Sequence, residues 1–188
     1  MMQKLIATTL QDICELIVDC EHKTAPVQDA GIPSIRTPNV GRGRLVLENV
    51  NRVSEDTWKY WTKRAIPREG DLIFAREAPL GNVAIVPPDT KLCLGQRTVL
   101  IRPNKERVSP SYLCYLLLSP KLQSILHSMG SGATVPHVNI KDIRNLLLQL
   151  PSLPIQKKIA GVLSAYDDLI EANLKRIKLL EEMAQITY

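Results

Sequence analysis

IQKKIAGVLSAYDDLIEANLKRIKLLEEMAQITY, residues 155–188, follows the last proline of the chain, Pro154. At 1.5 Å per residue such a stretch makes one helix of roughly 50 Å. Its apolar positions step alternately by four and three: Ile159, Leu163, Tyr166, Ile170, Asn173, Ile177, Leu180 and Ala184. That alternation is a heptad seam, and it predicts a coiled coil. Asn173 is the polar member of the seam. An Asn there weakens pairing but fixes register and partner number. Leu169, Leu174, Leu179 and Met183 lie off the seam and form a second apolar stripe. Two stripes predict more than one neighbour. The alternative is a helix folded back on its own domain. Against it, a body of this size is only ~30 Å across.

Working back from the helix, Pro151 and Pro154 separate tail from body. The expected units are residues 1–153 and residues 154–188. The tail holds Lys157, Lys158, Lys175, Arg176 and Lys178 against Asp167, Asp168, Glu171, Glu181 and Glu182. It is neutral, so the whole net charge of +5 belongs to the body. A basic excess confined to one unit points to a polyanion partner, with a mildly basic soluble surface as the plain alternative.

Aromatics make up only 4% of the residues, so the core must be aliphatic. No apolar run approaches the roughly 20 residues of a membrane span. The first ten residues contain no apolar core of a secretion signal. Cys14, Cys20, Cys93 and Cys114 form no C-x-x-C pair, which argues against zinc. Free thiols in a chain without an export signal place it in the cytoplasm.

The body reads as mixed strand and helix. Residues 71–75 and 82–86 are short apolar runs joined by Ala78-Pro-Leu-Gly81, a hairpin pattern. Residues 98–101 make a third strand, and residues 32–47 two more, broken at Gly41-Arg-Gly-Arg44. Ser109-Pro110 and Ser119-Pro120 each start a helix, the second ending at Gly130. Asn139 caps a further short helix, and residues 146–150 are apolar up to Pro151. The expected fold is α+β: a mixed-sheet body followed by a long C-terminal α-helix.

Catalytic patterns are missing from the sequence. There is no phosphate-binding G-x-x-x-x-G-K-[ST]. Val86-Pro-Pro-Asp89 lacks the Asn and aromatic of a flipped-base methyltransferase site. Pro88-Asp89-Thr90-Lys91 is a lone fragment of a nuclease pattern and reads as a turn. His22, His127 and His137 sit in no nucleophile motif. No catalytic or metal-ligating residue is therefore assigned, and no cofactor of the chain's own.

The loops do carry the residue types that DNA contacts require. Arg pairs with guanine edges and Asn or Gln with adenine. Lys, Arg, hydroxyls and loop amides hold phosphates. The candidates are His22, Lys23, Thr24, Arg36, Thr37, Asn39, Arg42, Arg44, Arg76, Gln96, Arg97, Ser131, Thr134 and His137, with 36–44 the richest cluster. For Arg76 and Arg97 the alternative is pairing with carboxylates inside the body.

Seven stretches in this order resemble the DNA specificity subunits of type I restriction–modification systems. They are VDCEHKTAP (18–26), IPSIRTPN (32–39), GDLIFAREAPLG (70–81), GQR (95–97), GATVP (132–136), LPSLPIQKKIA (150–160) and LSAYDDLIE (163–171). The resemblance implies a recognition domain that reads one half of a split double-stranded DNA site. It implies a long helix that is spacer and docking surface for methyltransferase subunits. Those partners use S-adenosylmethionine, and a motor-nuclease (restriction) subunit uses ATP and Mg; the specificity subunit itself catalyses nothing. Typical members carry two recognition domains and two helices. This sequence has one of each, so it resembles a half-unit, natural or cut from a longer chain. Pairing of Ile159, Leu163, Tyr166, Ile170, Asn173, Ile177 and Leu180 with a second copy would restore the pseudo-symmetric whole. The remaining alternatives are a recognition module of a fused restriction–methyltransferase enzyme and a non-DNA coiled-coil adaptor.

Overall fold

The computed structural model describes residues 5–130 and 135–187. The chain opens with β1 (Ile6–Thr9) and β2 (Cys14–Asp19), then β3 (Ile32–Ile35) and β4 (Arg52–Val53). Helix α1 (Glu55–Trp61) precedes the hairpin of β5 (Leu72–Ala75) and β6 (Val83–Ile85). After β7 (Cys93–Leu94) and β8 (Thr98–Pro103) come α2 (Pro110–Leu117), α3 (Pro120–Met129) and α4 (Ile140–Arg144). The chain closes with β9 (Leu147–Leu150) and α5 (Leu153–Thr187). The fold is α+β, with a long C-terminal helix.

The central sheet is antiparallel in the order β2-β8-β5-β6. Its β5 strand, Leu-Ile-Phe-Ala, is buried on both faces. Side chains alternate across a strand, so one short run serves two cores. Leu72 and Phe74 pack with Val99, Ile101, Leu113 and Leu126 on the helical side. Ile73 and Ala75 pack with Ile35, Leu92, Leu94 and Leu100 on the other. That second layer is a small mixed sheet, β4-β3-β7, antiparallel at β3–β4 and parallel at β3–β7. A separate ribbon pairs β1 with β9 and ties the chain's start to the foot of α5.

Ser109 and Ser119 precede α2 and α3, with Pro in each first turn, as the start signals required. Residues 32–47 depart from the two strands expected. Only β3 forms; Pro38 then sits in a 3-10 turn over Thr37–Asn39. Beyond it the chain loops through Gly43, whose φ of +94° suits glycine. The Gly43 amide and carbonyl bond to β6 instead of a new strand. Helix α1 had no place in the sequence reading. Its signal was local: Ser54 Oγ accepts the Thr57 amide at 3.1 Å, with Glu55 and Asp56 in the first turn.

Pro154 does not stop α5. It lies in the first turn, where no intrahelical donor is needed, and the Ser152 carbonyl accepts from Ile155 and Gln156. The helix leans on its own body through Gln156, Ala160, Ser164, Asp167 and Glu171, all at least half-buried. Steps of four and three place these on one face.

Candidate nucleic-acid interface and docking helix

Antiparallel pairing brings three chain segments to one end of the central sheet. There β2 ends at Asp19, β5 ends at Ala75 and β8 begins at Thr98. The loops that follow or precede these ends carry His22, Lys23, Thr24, Arg76, Gln96 and Arg97. Asp19 is the hub: its Oδ2 lies 2.7 Å from Arg76 Nη1 and 3.0 Å from His22 Nε2. Arg76 Nε donates to the Val138 carbonyl at 3.2 Å. A β-bridge between Glu77 and His137 brings exposed His137 to the same end. Arg97 turns with φ +64° and bonds Glu77 Oε1 at 2.9 Å. Gln96 Nε2 donates to the His22 carbonyl at 3.3 Å.

Arg36 joins this group from β3. The Gly95 amide donates to the Ile35 carbonyl at 2.7 Å, and a Cβ on Gly95 would stand 2.6 Å from Arg36 Cγ. Glycine is what lets the two loops touch. Thr24, Arg36 and Gln96 line one small cleft, with Ser34, Asn51 and Gly95. Lys23 and Arg36 are exposed and have no ion-pair partner among the described residues.

The remaining candidates divide differently. Thr37 and Asn39 are buried. Asn39 Oδ1 accepts the Arg36 amide, and its Nδ2 donates to the Val46 carbonyl, 3.1 Å each. The Asn39 amide therefore holds the turn through one hydrogen bond at each end. Arg42 and Arg44 lie away from the sheet end. Arg42 donates to the Leu118 carbonyl at 3.1 Å, and Arg44 pairs with Asp168 at 3.0 Å and with Glu171 on α5. The supposed 36–44 cluster is thus split: Arg36 lies at the loop end of the central sheet, Arg44 against the helix. Ser131 and Thr134 lie outside the described residues. Exposed His127 stands apart on α3.

The sequence reading missed the carboxylates. Asp19 and Glu77 match Arg76 and Arg97, which was the alternative left open for both. Tyr115 Oη donates to Asp167 Oδ2 at 2.6 Å, a second polar tie to α5 that also raises the tyrosine pKa, after burial. Burial pushes the thiols of Cys14, Cys93 and Cys114 up to about 12, far from the range of a reactive thiolate. Among the described residues no group of His, Cys, Asp and Glu is arranged to hold a metal ion. Among them, too, no helix is long and apolar enough to cross a membrane.

On α5 the seam is open. Tyr166 is 64% exposed, Ile170 57%, Ile177 51% and Leu180 63%, and Ile159, Leu163 and Asn173 are exposed too. The seam lies roughly a third of a turn from the face that touches the body, at about 100° per residue.

A body with cations gathered on loops at one sheet end, and a rod whose apolar face is uncovered, defines a binding module with two separate surfaces. The chain belongs to the family described as the type I restriction modification DNA specificity domain, whose model matches residues 6–182. It is similar to two specificity subunits of Methanocaldococcus jannaschii. The MjaIX type I restriction enzyme subunit is 31% identical over 70% of this chain and 30% of its own length. The MjaVIII subunit is 27% identical over 92% and 42%. The crystal structure of the HsdS subunit from Thermoanaerobacter tengcongensis superposes with a TM-score of 0.66 at 24% identity, over 92% of this chain and 44% of that one. The chain therefore spans less than half the length of these relatives.

Proposed function

We propose that this chain is the non-catalytic DNA-reading subunit of a cytoplasmic type I restriction–modification complex, each copy recognising one half of a bipartite target. The observation that carries the reading is the separation of the two surfaces. The loop end offers Lys23, Arg36, Gln96 and His137 to DNA. The helix offers its seam to protein. In this reading base edges meet Arg36 and Gln96, and phosphates meet Lys23, Thr24 and the paired Arg76 and Arg97.

The seam steps 4-3-4-3-4-3-4 from Ile159 to Ala184 and reads the same from either end. An antiparallel second copy then sets Leu163 against Leu180, Tyr166 against Ile177 and Ile170 against Asn173. Such a pair is two-fold and reads a palindromic split site, with the helix length setting the gap. The second stripe, including Leu169 and Leu179, is left for methyltransferase subunits. S-adenosylmethionine belongs to those subunits, ATP and Mg to the restriction subunit they recruit.

Mapping methylated adenines in DNA from cells carrying the intact system tests the reading. A palindromic split motif is the expected result. Methylation that does not depend on this chain would overturn it, and so would a chain that binds no duplex DNA at low salt. Both outcomes favour an adaptor.

A further inference from the structure

WKYWTKRAIPR, residues 58–68, holds Lys59, Lys63, Arg64 and Arg68 and no acid. The acids just before it are already occupied or exposed to water. Glu55 is taken by Lys91 at 2.7 Å. Asp56 lies 3.7 Å from Lys59 with its side chain 95% exposed, a pair that water screens.

What holds Lys63 and Arg64 differs from what holds four arginines elsewhere in the body. Arg44, Arg76, Arg97 and Arg102 each face a carboxylate at 3.0 Å or less. Lys63 Nζ instead lies over the Tyr60 ring, 4.0 Å from its centre, and Tyr60 rests against Trp61. Arg64 Nη1 donates to the carbonyls of Cys20 and Asp19 at 3.1 and 3.3 Å, and its nearest carboxylate, Glu21, is 4.0 Å away. An aromatic face or a carbonyl fixes a cation in place without cancelling its charge. The result is positioned positive charge that is only weakly compensated, by Asp56 at 3.7 Å from Lys59 and Glu21 at 4.0 Å from Arg64, which suits an anion.

Trp58, Lys59, Thr62, Lys63, Arg64 and Arg68 line one open cleft of about 440 Å³. The cleft also joins the reading end. Through Arg64 it is bonded to residues 19 and 20, two positions from His22. One cationic strip, from Lys59 to Arg68, therefore ends beside the last residues of the edge strand β2, close to the His22–Thr24 loop.

We propose that this strip is a second DNA contact, a track for the phosphodiester backbone that flanks the reading loops. The proposal rests on the DNA-reading assignment above. Lys59 and Lys63 are point charges without the forked geometry that discriminates bases, and the Arg64 fork is engaged by the carbonyls of Asp19 and Cys20. The strip contributes affinity shared by all sequences, and the reading loops supply choice between them.

The test compares the wild-type chain with Lys59→Ala/Lys63→Ala/Arg68→Ala on random-sequence duplex over a salt series, with circular dichroism to check folding. Each phosphate contact contributes about 0.9 to the slope of log K against log salt. The triple variant should flatten that slope by about 2.7, so from 50 to 200 mM salt the wild type loses about 40-fold more affinity than the variant. The methylated target should not change. A folded variant with the wild-type slope overturns the strip and leaves the reading standing. A wild type that binds no duplex overturns both. If the triple variant unfolds, Lys63→Gln alone should flatten the slope by about 0.9, and an unchanged slope sinks the proposal.

Discussion

Gln156 shows how a single side chain can seat a helix of 35 residues. It is 1% exposed, accepts the Ser109 amide at 3.0 Å and donates to the Pro151 carbonyl at 2.9 Å. Gln156→Ala leaves these buried groups without partners, at a cost of about 1–3 kcal/mol for each that water cannot reach. Urea denaturation should show the midpoint falling; an unchanged midpoint would mean water replaces the amide. The buried thiols set a pH limit of a different kind. Cys14, Cys93 and Cys114 ionise near 9.0 in an unfolded chain but only at about 12 here. A pKa raised on folding gives stability that is complete below the unfolded value and is lost as pH climbs through the folded one. Stability should therefore decline from about pH 9 towards pH 12, and melting temperatures across that range check it. Replacing Cys93 and Cys114 by Ala should soften the decline, though each also leaves a small cavity.

Among the elements, α5 divides its labour by face. The body takes a polar stripe, with Tyr115 bonded to Asp167 and Arg44 paired to Asp168 and Glu171. Burying that stripe leaves the apolar seam uncovered. A charge on the seam is tolerated in the lone chain but not between paired helices, where it must lose water without a partner. Ile170→Glu with Ile177→Glu should give a monomer by light scattering at micromolar concentration, with circular dichroism close to wild type. A wild-type chain that is already monomeric would remove the pairing. Arg44→Ala should cost about 1 kcal/mol or less, because its ion pairs are partly exposed.

At the scale of the molecule, the proposed DNA-contacting loops and the proposed pairing seam are expected to fail independently. Arg36→Ala should weaken or alter the methylated target while light scattering shows assembly unchanged; an unaltered motif and rate would take Arg36 off the reading surface. Much of this division was legible in residue order. The 71–86 hairpin, the two Ser-Pro helix starts and the proline-free heptads of the tail depend on neighbours a few positions away, and short-range patterning states them directly. The neutral tail beside a basic body was likewise a matter of counting. The fate of each cation was not legible. Arg76 meets Asp19 across 57 positions and Arg44 meets Asp168 across 124. No local pattern announces a partner so far along the chain, because ion pairing depends on distance in space. It is the folded arrangement that spends the Asn39 amide on a turn, clamps Arg44 to the helix, and sets Lys63 over a ring and Arg64 on backbone carbonyls. Residue order alone puts an apolar seam on the helix; the body, by packing against a different face, leaves that seam outward.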